Sequence, residues 1–124
     1  MADDLLLSLT ALEGCQHSLV MLAARTDSTR KHDLVEERRA LALCLAGLQR
    51  NATAPESAFA SGAPAEEFLS RFSEVRNAIA QHQSAWSAVT VDNFPDEYRR
   101  SADTVSALVQ GFTGWMRATL DTRR

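Results

Sequence analysis

The sequence is poor in the residues that staple or punctuate a chain: 124 residues hold two cysteines, three prolines and five glycines. Two cysteines cannot make a disulfide framework. Cys15 and Cys44 both fall beside apolar positions with helical spacing, where a free thiol behaves as a small hydrophobe, so reduced core thiols are expected. Lysine is nearly missing, since twelve of the thirteen basic residues are Arg. That bias reads as the mark of a GC-rich, bacterial coding genome. No excess of one sign exists either. The net charge is −3, with 7 acidic and 6 basic groups in the first fifty residues and 8 and 7 in residues 65 to 124. Nucleic-acid binding needs a Lys/Arg cluster that displaces phosphate counterions. Here Arg38-Arg39 and Arg99-Arg100 sit beside Glu36-Glu37 and Asp96-Glu97, and Arg30-Lys31 and Arg123-Arg124 are isolated pairs, so no nucleic-acid partner is expected. The start, Met1-Ala2-Asp3-Asp4, is acidic where a secretory signal is basic. The longest apolar run, Ala40 to Leu48, is about half a membrane span. These absences point away from a membrane and toward the cytoplasm.

Catalytic motifs are lacking too. The chain has no Gly-rich phosphate loop, no Gly-x-Ser-x-Gly and no His-Glu-x-x-His. No enzyme activity and no cofactor are therefore expected.

What is abundant is apolar surface at helical spacing, in a chain that is 45% hydrophobic. Leu5, Leu12 and Leu19 recur every seven residues, with Leu9, Cys15 and Leu22 between them, which predicts a helix over about 3–25. Leu34, Leu41 and Leu48, with Cys44 and Leu45, predict a second over about 28–50. Its start falls at Thr26-Asp27-Ser28 or at an Asp33/Glu36 capping box. Phe68, Phe72, Val75, Ile79, His82, Trp86 and Val89 form the most regular stripe, a helix over about 65–89 started by Pro64. Tyr98, Ala102, Val105, Val109, Phe112 and Met116 mark a fourth over about 95–121, capped by Asp92 or Asn93. Residues 51–64 form the one long linker. Its Asn51-Ala52-Thr53 matches a glycosylation sequon by chance, and its Phe59 either pins the linker to the core or stands exposed as an anchor. Four such helices predict a single all-α domain, an antiparallel up-down four-helix bundle. The linker is long enough for the two hairpins to separate and exchange between chains, so a homodimer is compatible with the sequence.

Candidate sites are few. His82 interrupts an apolar stripe, and buried imidazole needs hydrogen-bond partners. It is either a satisfied core histidine or the polar point of a pocket walled by Trp86 and Tyr98, the proposed ligand-binding residues. Di-iron bundles need Glu-x-x-His pairs, which none of His17, His32 and His82 supplies. His32-x-x-x-Glu36 matches one element of the hemerythrin ligand set, but three histidines cannot complete that set, so no metal ligands are assigned and only a degenerate relative remains. His17 is a weak phosphotransfer candidate without the Lys that would hold a phosphoryl group. For protein binding, Phe59, Trp115 and Met116 are the expected anchors of an exposed apolar patch.

Leu12-Glu13, Leu19, Leu22, Asp27, then Leu34-Val35-Glu36-Glu37-Arg38-Arg39-Ala40-Leu41, Leu45 and Leu48 resemble the first hairpin of the flagellar export chaperones of type III secretion. The resemblance covers less than a third of the chain. It implies a small acidic cytoplasmic helical protein that binds another protein and catalyses nothing. The expected function is thus protein binding, as chaperone or adaptor. The alternatives are a small-ligand or metal-binding bundle centred on His82 and a phosphotransfer module on His17.

Overall fold

The computed structural model describes residues 2–122 and contains four helices: α1 Ala2–Ala23, α2 Arg30–Ala52, α3 Gly62–Ala85 and α4 Pro95–Thr122. Long-range hydrogen bonds fix their directions. At the start of α1, Ser8 Oγ and the Asp4 carbonyl accept from Asn51 Nδ2 at the end of α2, at 2.6 and 3.3 Å. The middle of α1 meets the end of α4, where Arg117 grips both carboxylate oxygens of Glu13 at 2.6 and 3.0 Å. His82 near the end of α3 meets Ser101 near the start of α4. Successive helices therefore run antiparallel. α1 packs against α2 and α4, and α3 against α4. α2 and α3 instead face each other across a groove of about 250 Å³, lined by Leu41, Ala42 and Leu45 on one side and Asn77 and Ala80 on the other.

The core follows the heptad positions. Leu5, Leu9 and Leu12 of α1, Leu41 and Leu48 of α2, Phe68 to Ile79 of α3 and Val105 to Met116 of α4 form one buried cluster. The linker does not lie free. Phe59 is 1% exposed, its ring 5.8 Å from Phe68 and 5.4 Å from Trp115, so it pins the linker into the core. Phe68 stacks on Phe72, and Phe112 closes on both. This end of the bundle is held by aromatic packing, whose large area and ring geometry each add stability.

Several boundaries differ from the sequence pattern for local reasons. The Asp33/Glu36 capping box does not form. α2 begins at Arg30 after Thr29, and Asp33 is already in the first turn, where Arg25 bonds it at 2.8 Å. Asp27 acts by accepting from the Thr29 amide and hydroxyl and from Arg25, which together hold its carboxyl well below the usual range. α3 begins at Gly62, whose φ of 71° lies in the left-handed region that glycine enters without a Cβ clash, two residues before Pro64. It ends at Ala85, because Trp86 turns to φ −122° and ψ 71°. Val89 is consequently 77% exposed in the connection to α4, and Val91 takes the buried place that the stripe suggested for it.

The second end of the bundle is built around a charge. Arg30, in the first turn of α2, is 1% exposed. Its guanidinium donates toward the carbonyls of Leu22 and Ala23 at the end of α1, lies 5.5 Å from the Tyr98 ring and pairs with Asp92 of the α3–α4 connection. A buried cation without a partner is strongly unfavourable, so this pair differs in kind from an exposed one. Asp92→Asn should therefore lower the urea midpoint clearly. Glu67→Gln, which opens an exposed i,i+4 pair with Arg71, should change stability by no more than about 0.5 kcal/mol. Equal effects would contradict the role given to Arg30.

Candidate functional site

His82, Trp86 and Tyr98 do come together. The His82 and Tyr98 rings stack at 5.8 Å and 14°, and Trp86 tilts onto Tyr98 at 5.7 Å. His82 lies in the last turn of α3, Trp86 is its C-cap, and Tyr98 faces them from the first turn of α4. His82 Nδ1 is 2.7 Å from Ser101 Oγ. Arg38 of α2 reaches across to donate to the Trp86 carbonyl at 2.7 Å, the C-cap of α3. Gln16 of α1 completes the ring of polar groups, so every helix contributes one.

The electrostatics follow from burial. Desolvation, and then the neighbouring Arg38 charge, hold the His82 imidazole down to about 4. Burial likewise lowers Arg38 and raises Tyr98, which lie against each other and oppose those shifts by mutual attraction. His82 is thus a neutral imidazole at physiological pH, with a hydroxyl and a cation beside it. Among the described residues, the polar groups beside it are Ser101, Arg38 and Gln16.

The space available decides what the cluster can hold. The enclosed cavity between His82, Tyr98, Gln16 and Arg38 measures about 20 Å³. One water-sized molecule needs roughly 10–15 Å³ by this measure, so nothing larger fits. Gln16 Oε1 has no hydrogen-bond partner there. Among the described residues, no group of three or more His, Cys, Asp and Glu side chains is placed to hold a metal ion. His32 and Glu36 are both exposed on α2, and His17 is exposed on α1, lining a shallow groove with Glu13, Val20 and Gln110.

The expected anchors of a protein-binding patch are corrected by the structure. Phe59 is 1% exposed and Met116 fully buried, while Trp115 is half-covered by Phe59 and Phe112 and capped by the Arg71 guanidinium at 4.8 Å. All three are core or core-edge residues because α4 turns that face inward and the linker folds onto it. They form no exposed patch.

Exposed apolar side chains lie elsewhere. On α1, Leu7 is 68% and Met21 57% exposed, with Ala11 and Gly14 open between them. On α2, Leu43 is 75% exposed. Sequence reading followed the buried stripe of α1 and passed over this second one, although Leu7, Gly14 and Met21 also recur every seven residues. Between Asp4 and Arg25, α1 carries a single charge, Glu13, and Arg117 neutralises it. By length and composition, residues 4–23 of α1 could cross a membrane, which the apolar run of α2 had not suggested. In the bundle Leu5, Leu9, Leu12 and Leu22 of that helix are buried against its neighbours. Comparison of the chain with protein-family models, curated proteins and solved structures returned no match.

A pH measurement checks the His82 environment. Its folded value lies below the ordinary 6.5, so folding favours the neutral form. The associated stability is complete above about pH 6.5, declines as pH falls through the interval, and is lost below about 4. In wild type, stability should fall across that window more steeply than in His82→Gln, and NMR should place the His82 midpoint near 4. A midpoint near 6.5 would contradict the buried, Arg38-facing placement.

Proposed function

We propose that the chain is a non-enzymatic protein-binding bundle, a chaperone or adaptor, that takes an apolar helix of its partner along the outer face of α1. The observation that carries this reading is the exposed stripe Leu7, Ala11, Gly14, Met21. A seven-residue recurrence is the surface that a second helix meets with knobs in holes. From Leu7 to Met21 the stripe spans about 21 Å, or four turns. Large residues at its ends and small ones in its middle leave a shallow saddle, which suits close approach of a helix. Charge does not oppose it, since Glu13 is already paired.

A lipid surface is the weaker occupant. Helices that lie on membranes carry Lys and Arg along their polar edge, and α1 has neither between Ala2 and Ala23. The resemblance of residues 12–48 to flagellar export chaperones supplies a specific form of the proposal, a holder of a helical export substrate. A second copy of the chain also satisfies the surface: about a twofold axis at Gly14, Leu7 of one α1 lies opposite Met21 of the other and Asp4 falls near Arg25. The reading assigns no catalytic step to His82 or His17.

Photo-crosslinking in the expressing cell tests it. A benzophenone side chain at position 7 should give discrete protein adducts, either a dimer of the chain or a heterologous product, that disappear when Met21→Glu is added. The same probe at exposed Ser73 on α3 should give none. Absence of adducts from position 7, identical adducts from both positions, or recovery of lipid alone would overturn the proposal.

A further inference from the structure

The molecule holds one pair of nucleophilic side chains that neither the fold nor the proposed binding face explains. Cys15 of α1 and Cys44 of α2 are both partly buried at the edge of the core, with their sulfurs 3.2 Å apart. That is closer than two sulfurs in ordinary van der Waals contact, and a disulfide requires them to approach by little more than an ångström. The residues are 29 apart in sequence and lie on antiparallel neighbours whose register is fixed independently by Asn51 and Ser8. They are neither remote nor wholly sealed from solvent. The sequence alone suggested inert core thiols and left open whether the two faced each other.

We infer that Cys15 and Cys44 are a two-electron oxidation site at which a hydroperoxide converts the dithiol into a disulfide that locks α1 to α2. One sulfur, as thiolate, attacks a peroxide oxygen. The O–O bond breaks, the departing oxygen takes a proton, and a sulfenic acid remains. The second sulfur then attacks that sulfur, forming S–S and breaking S–O, and the hydroxide released takes the second thiol's proton and leaves as water. The two thiols lose two electrons and the peroxide gains them, giving one disulfide, one alcohol or water from the peroxide, and one water. Burial, then the hydrogen bond with Cys44, pushes the Cys15 thiol up to about 12. Reaction should accordingly be slow at neutral pH and faster in alkali, because the thiolate is the nucleophile. The lock closes a loop of 29 intervals between the two helices, which restricts the unfolded chain.

The test uses the reduced full-length chain and hydrogen peroxide. A non-reducing peptide map should join the Cys15 peptide to the Cys44 peptide with the loss of two hydrogen atoms, apart from any oxygen taken up at exposed Met21, while the chain stays monomeric in covalent terms. The oxidised chain should melt at a higher temperature than the reduced one, and dithiothreitol should reverse both changes. Cys15→Ser and Cys44→Ser should each gain oxygen or form intermolecular dimers. If the wild-type Cys15 or Cys44 peptide gains oxygen, if wild type forms intermolecular disulfides, or if both thiols stay unreacted after prolonged alkaline peroxide treatment, the inference is overturned; oxygen gained at exposed Met21 does not bear on it. Wild type alone decides it, so failure of either variant to fold does not matter.

Discussion

The arrangement of this bundle depends on one buried guanidinium. Arg30 stands where α1 ends, α2 begins and the α3–α4 connection passes, and it contacts all three. A helix terminus leaves carbonyl groups without partners, and a buried cation needs anionic or dipolar neighbours. Arg30 donates toward the Ala23 carbonyl and adds a second donor at the Leu22 carbonyl, which already accepts from the Arg25 amide. Asp92 supplies the countercharge, and Tyr98 supplies a ring face on which the cation rests. Even so Nε has no hydrogen-bond partner in the fold.

From this constraint follows the difference between the two ends of the molecule. The end near the linker is an aromatic cluster of Phe59, Phe68, Phe72, Phe112 and Trp115, dry and non-directional. The opposite end is polar, with Arg30, Arg38, His82, Ser101 and Gln16 distributed over all four helices. Polar groups in a core are directional and fix which partners meet. His82 bonds Ser101 in the seam between α3 and α4, beside a cavity of about 20 Å³.

Helix number, helix face and antiparallel order were legible because burial imposes the seven-residue recurrence on every helix. That His82, Trp86 and Tyr98 stand side by side was legible from their spacing and from the short connection before α4, but their spacing does not say whether they bind a ligand. What spacing could not give was depth. Phe59 and Met116 looked like candidates for exposure, and only the folding of the linker onto α4 shows them buried. Arg30 and Arg38 read as surface charges beside other charges. Nothing local distinguishes a buried arginine from an exposed one, because its partners Asp92 and the Trp86 carbonyl lie 62 and 48 residues away. The outer stripe of α1 was present in the sequence but was outweighed by the stronger buried one.

Of the apolar side chains left exposed among the described residues, which also include Leu43, Leu69, Val89 and Phe94, Leu7 and Met21 share one helix face with small residues between them, and that outer face of α1 is the surface the account assigns to a partner. Oxidative footprinting of methionine measures this directly, because Met21 is exposed and Met116 is an internal, fully buried reference. In the dilute purified chain Met21 should oxidise readily and Met116 should not. In the intact cell Met21 should be protected to near the level of Met116. Equal oxidation of Met21 in the cell and in the purified chain would contradict the account.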